Sequence, residues 1–86
     1  MTTDTLKTEI IRHIAEYSDA NADDITGSSM VDDLGIHSLE LAELVMELEE
    51  KYDIEIETDS VESWNSLKTV DDIVAAVRAM LTAKAM

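Results

Sequence analysis

Three kinds of side chain in this sequence could carry chemistry: a serine placed ahead of a helical pattern, two histidines, and a dense set of carboxylates. The serine is Ser38, in "LGIHSLELAELVMELEEKYDIEIE", residues 34–57, directly after Gly35, Ile36 and His37. A hydroxyl at a loop-to-helix junction meets backbone N–H groups that have no intrahelical acceptor, together with the positive end of the helix dipole. Both stabilise an anionic substituent, and a phosphodiester would sit well there. A hydrolytic serine fits poorly. "GIHSL" lacks the second glycine of a nucleophile elbow, and His37, next to Ser38 in sequence, does not face it from a neighbouring helical position.

Other chemistries fail on spacing. In "DANADDITGSSM", Asp19, Asn21 and Asp23 match the first three alternating ligands of an EF-hand loop. Asp24 then occupies the turn position that demands glycine, and Met30 the position that should supply a bidentate glutamate, so specific calcium binding is not expected. His13 sits in a helical pattern among ordinary surface residues. The two histidines, read as having no carboxylate at ligand spacing, predict no metal site. The chain contains no cysteine, which removes thiolate ligands and disulfides and leaves packing to hold the fold.

The acids outnumber the bases, twenty Asp and Glu against six Lys and Arg, for a net charge of -14. Such a surface repels nucleic acid and anionic membranes and attracts basic partners. The imbalance is concentrated: residues 32–62 hold twelve acids against Lys51 alone. The plainer reading of that run is a solubilising surface. With 86 residues the chain is expected to form a single domain, residues 1–86, too small for an elaborate active-site cleft. "MTTDTLKTEI" has neither a basic stretch nor a continuous apolar run, and no stretch of about eighteen apolar residues occurs anywhere. A monomeric cytoplasmic protein without a membrane span is the expectation.

The elements that must position Ser38 follow from periodicity. Leu6, Ile10, Ile14 and Tyr17, with Ile11 beside them, predict a first helix that begins after the caps Thr3 and Asp4 and ends near Ser18. From Asp19 to His37 the chain turns to Asp, Asn, Ser and Gly, interrupted by Ile25, Met30, Val31, Leu34 and Ile36, the pattern of a long loop pinned to a core. The second helix reads from Ser38, as its N-cap, to about Tyr52, with Glu40 in the first turn. Leu41, Leu44, Val45, Leu48 and Tyr52 make its core stripe. Leu39, Ala42 and Met46 make a second, narrower stripe bordered by Glu43, Glu47 and Glu50 on one side and Glu49 on the other. A packed helix needs one stripe, so the second reads as a docking surface; the alternative is that Leu39 packs under the preceding loop and Met46 is tolerated outside. "DIEIET" alternates like a strand but has no partner pattern, so Ile54 and Ile56 are expected to anchor an extended connection. A short helical turn in "DSVESWNSL" and a final helix along Val70, Ile73, Val74, Val77 and Leu81, opened by a Thr69–Asp72 capping box, complete the chain. The predicted fold is all-α: three main helices and one short one, with a long loop between the first and second.

At Ser38 the sequence resembles the acyl carrier protein family, whose attachment motif "DSL", preceded by Leu-Gly and followed by an acidic helix, corresponds to "LGIHSLE". "ELVMELEEKYDIEI" is similar to that family's second helix almost residue for residue, and the resemblance spans roughly residues 4–82. It implies that Ser38 carries a phosphopantetheine arm added from coenzyme A by a phosphopantetheinyl transferase. The arm's thiol would hold acyl intermediates as thioesters in fatty acid, polyketide or related biosynthesis, in a carrier that is not itself an enzyme. Acyl-transferring or ketosynthase-type enzymes with basic patches would read Leu39, Glu40, Ala42, Glu43, Met46, Glu47 and Glu50. His37 stands where fatty-acid carriers have Asp, although "HSL" is similar to the corresponding stretch of many peptidyl carrier domains, which leaves the choice of transferase open. The segment containing Trp64 is longer than in common fatty-acid carriers and resembles specialised carriers typified by nodulation protein F. In the family a sequestered acyl chain passes between the second helix and those that follow, which would put Trp64 at the mouth of the cavity or make it a plug in the core. The competing class is an acidic helical interaction or metal-sensing module in which Ser38 only caps a helix.

Overall fold

The computed structural model of the chain describes residues 5–56 and 65–85. Three α-helices appear there: α1 (Thr5–Tyr17), α2 (Ser38–Tyr52) and α3 (Val70–Ala85), with a single 3-10 turn at Ala22–Asp24 between the first two. α1 packs against both α2 and α3. Ile10 and Ile14 of α1 are fully buried, and Leu6, Ile11 and Tyr17 pack partly buried beside them. The predicted core stripe of α2 faces inward, with Leu41, Leu44, Val45 and Leu48 buried and Tyr52 at their edge. Val70, Ile73, Val74 and Val77 of α3 close the same core. Each fully buried aliphatic side chain is worth roughly 1.5–3 kcal/mol, and this apolar interior is what holds a cysteine-free fold.

The long loop is pinned as expected. Ile25, Val31 and Ile36 are buried, Leu34 partly so, and Met30 remains exposed. Backbone bonds fasten the loop to the start of α3. The Val31 N–H donates to the Lys68 carbonyl at 2.9 Å, Val70 to Ser29 at 3.0 Å and Asp71 to Gly27 at 2.9 Å. An isolated antiparallel bridge joins Met30 and Thr69, and among the described residues no strand forms. Gly27 is buried against Asp71, where a Cβ would run into the carboxylate.

The helix ends follow local chemistry. At the start of α3 the Thr69 N–H donates to Asp72 Oδ2 at 3.0 Å and the Asp72 N–H to Thr69 Oγ1 at 3.1 Å, the reciprocal capping box read from sequence. α2 ends at Asp53, whose φ of 55° lies in the left-handed region that closes many helices. Lys84 near the end of α3 ties this cap down, bonding the Tyr52 carbonyl at 3.2 Å and Asp53 Oδ2 at 3.0 Å. Residues 54–56 after it take no regular structure, with Ile56 buried and its N–H donating to Glu49 Oε2 at 2.7 Å. The short helix expected in "DSVESWNSL", the caps Thr3 and Asp4, and Trp64 lie outside the described residues, apart from the last residues of that short segment.

Candidate functional site

Ser38 reaches the surface through a turn built one residue at a time. Within residues 30–36 the Leu34 N–H donates to Val31 O at 3.1 Å, Gly35 to Asp32 O at 3.1 Å and Ile36 to Val31 O at 3.0 Å. Gly35 adopts φ 80°, a left-handed conformation that side-chain-bearing residues adopt only with strain. The reversal drives Ile36 into the core, where it is 1% exposed, and turns the next two residues outward. Ile36 before the helix and Leu41 on its first turn are buried in the same core, as in a hydrophobic staple that sets the angle of entry.

The helix begins one residue away from the expected position. His37, extended at φ -103° and ψ -170°, is the N-cap residue, and its carbonyl accepts the Leu41 N–H at 2.7 Å. Ser38 is the first helical residue. The expectation that Ser38 caps α2 is therefore corrected: Ile36 must stay buried, so the last extended residue is His37. Glu40 reaches back to accept the His37 N–H at 3.2 Å, satisfying a donor at the helix entry. The hydroxyl of Ser38 is exposed and makes no hydrogen bond among the described residues. It has the backbone N–H groups and dipole of a helix N-terminus beside it.

Ser38 lines a half-open cleft of ≈ 390 Å³ between the loop, the first turn of α2 and residues 65–68. Its walls are apolar, from Met30, Val31, Ile36, Leu41 and Leu67; its rim is polar, from Asp32, His37, Asn65 and Lys68. His37 Nδ1 stands 3.7 Å from Asp32 Oδ1, both side chains largely exposed. Exposed pairs of this kind contribute little. The rim residues Asp32 and Lys68 had no signal in the sequence pattern, because the fold alone brings them beside Ser38.

The second stripe of α2 faces outward. Leu39 is 71% exposed and Met46 58%, with Ala42 half-buried between them. Glu43 and Glu50 are exposed beside the stripe. Glu40 is engaged at the helix entry, and Glu47 is engaged across the helices. Glu47 Oε1 lies 2.8 Å from His13 Nδ1 and Glu47 Oε2 accepts the Tyr17 hydroxyl at 2.6 Å. The Tyr17 bond, aided by His13, holds the Glu47 carboxyl below its usual value against the opposing effect of burial, and the same bond pushes the Tyr17 phenol up to about 12. His13 is therefore not an ordinary surface residue, as its sequence setting suggested. One ligand atom from each of His13, Glu16 and Glu47 lies within 4.8 Å of the others. The reading that no carboxylate stands near a histidine is corrected too: Glu16 is three residues along α1 from His13, on the same face, and Glu47 arrives from α2.

Comparison with known proteins fits this geometry. The family described as "Phosphopantetheine attachment site" matches residues 8–77. The chain belongs to the acyl carrier protein family. It is 40% identical over 82 residues to the acyl carrier protein of Exiguobacterium sibiricum, covering 94% of this chain and 100% of that one. It is 41% identical over 71 residues to the acyl carrier protein of Phenylobacterium zucineum, covering 81% and 86%. It is also 40% identical over 62 residues to nodulation protein F of Rhizobium leguminosarum bv. trifolii, covering 72% of this chain and 67% of that protein. This carrier is accordingly not an enzyme: it holds acyl intermediates on a covalently attached phosphopantetheine and exchanges them with partner enzymes. Among the described residues no helix is long and apolar enough to cross a membrane.

Proposed function

We propose that Ser38 is the residue of this carrier that bears the arm, and that residues 1–86 work as one carrier domain. The observation that carries the assignment is the exposed hydroxyl of Ser38, uncommitted to capping, at the N-terminus of α2 and beside an apolar cleft. The helix N-terminus offsets the negative charge that a phosphodiester brings into so acidic a region. Once attached, the arm supplies the thiol that a cysteine-free chain lacks and holds the acyl group as a thioester. Ile36 and Leu41 fix the height and direction of the attachment point, and the cleft walls offer apolar surface to whatever leaves Ser38 along them.

The partners follow from α2. A phosphopantetheinyl transferase and acyl-transferring or ketosynthase-type enzymes would meet Leu39, Ala42 and Met46 through apolar contact and Glu40, Glu43, Glu47 and Glu50 through basic patches. Glu43 and Glu50 offer their charge most freely, since Glu40 and Glu47 are already bonded within the chain. The setting is the cytoplasm, in fatty acid, polyketide or related biosynthesis.

The decisive experiment is a mass spectrum after incubation with coenzyme A and a broad-specificity phosphopantetheinyl transferase, followed by peptide mapping. The expected result is one adduct, on Ser38, absent from the Ser38→Ala variant. An adduct on Ser18, Ser28, Ser29, Ser60, Ser63 or Ser66 would overturn the assignment.

A further inference from the structure

We propose that His13, Glu16 and Glu47 form a binding site for a divalent transition-metal ion of the zinc class, bridging α1 and α2. The three side chains come from two elements, and their ligand atoms all lie within 4.8 Å of one another. Zinc sits about 2.0–2.2 Å from imidazole nitrogen and carboxylate oxygen, so a tetrahedral site needs ligand atoms about 3.4 Å apart. The His13 and Glu47 atoms, at 2.8 Å, must part by about half an ångström for a metal to enter between them. Glu16 must swing inward, and its exposed side chain is free to do so.

The donor set decides which ion fits. An imidazole with two carboxylates suits zinc and its neighbours, whereas magnesium and calcium take all-oxygen sites. Two carboxylates balance the charge of a divalent ion, and the net charge of -14 raises its concentration near the surface. Glu47 is also oriented from behind. The Tyr17 hydroxyl holds its Oε2 at 2.6 Å, leaving Oε1 turned towards His13. Outer partners of this kind fix the direction of a ligating carboxylate. A fourth position remains for water.

The site does not depend on the arm, so it is tested on the untagged Ser38→Ala chain, which cannot acquire a thiol. Zinc chloride is titrated calorimetrically in about 0.15 M salt, where diffuse attraction to exposed acids is screened, with magnesium in large excess. The expected result is one zinc ion per chain, with the His13 ring resonances shifting in step with saturation. His13→Gln should weaken binding by more than about tenfold, since even outer partners of a metal site are worth that much. Glu16→Gln, at an exposed position, should weaken it while leaving the fold and the unfolding transition unchanged. Zinc uptake that magnesium displaces, uptake that survives both substitutions, or the absence of any saturable uptake would each overturn the proposal.

Discussion

The Tyr17 hydroxyl of α1 donates to Glu47 Oε2 of α2 across 2.6 Å, although thirty residues separate the two in sequence. His13 lies against the other oxygen of the same carboxylate at 2.8 Å, so Glu47 is a strut between two helices. Tyr17→Phe keeps the packing ring and removes the bond. It should lower stability by about 1 kcal/mol, the worth of a hydrogen bond to a charged group that water partly reaches. A urea midpoint unchanged from the parent would show that the strut contributes nothing.

Alkaline pH should expose the same relationship. The Tyr17 phenol is pushed up to about 12, chiefly by its bond to Glu47, and the Tyr52 phenol to about 12, chiefly by burial and then by its bond to Glu9. The unfolded chain releases both protons near pH ~10. Between those two values the folded state binds more protons, so stability is whole below pH ~10 and falls as pH rises through the folded values. Glu47 has the opposite sign: its lowered value gives stability that is present above the ordinary carboxylate range and lost as pH falls through the folded value. Ultraviolet phenolate titration should therefore follow unfolding, and the double variant Tyr17→Phe, Tyr52→Phe should lose less stability between pH ~10 and ~12 than the parent.

Ser38→Ala should abolish loading at almost no structural cost, within about 0.5 kcal/mol, because an exposed first helical residue that makes no bond has little to lose. Glu40→Ala removes the acceptor of the His37 N–H and should cost about 0.5–1 kcal/mol. If thermal unfolding shows Ser38→Ala to be the costlier of the two, His37 is not the cap.

Gly35→Ala should destabilise by about 1–2 kcal/mol, the strain of a side chain held in the left-handed region. Space is not the obstacle, since nothing lies within 4 Å of the added Cβ. The variant should also be loaded more slowly, because relaxing φ at Gly35 displaces Ile36 and with it the direction of Ser38. Unaltered stability together with unaltered loading would count against this account of the turn.

Glu43→Lys combined with Glu50→Lys should slow acyl transfer at low salt and leave unfolding unchanged, since both side chains are exposed. The gap from the parent should narrow as salt shortens the Debye length to about 8 Å. Equal transfer rates at low salt would reduce these acids to a solubilising role.

Much of this protein was legible in its sequence because helices bury one stripe and declare it at a period of 3.6 residues. The core faces of α1, α2 and α3, the Thr69–Asp72 cap, the pinned loop, and the outward stripe of Leu39 and Met46 are all local consequences of residue type and spacing. Ser38 stood out for the same reason, through its Leu-Gly approach and the acidic helix after it. Three things required the tertiary structure. The N-cap passed from Ser38 to His37 because the burial of Ile36, a core property, sets where the extended chain ends. The cleft gathered Asp32 and Lys68 beside Ser38 because backbone bonds dock the loop onto the start of α3. Glu47, one of several acids along α2, was singled out only by the packing of α1 against it. A carboxylate's partners across two helices depend on their rotation and separation, which no periodicity within either helix records.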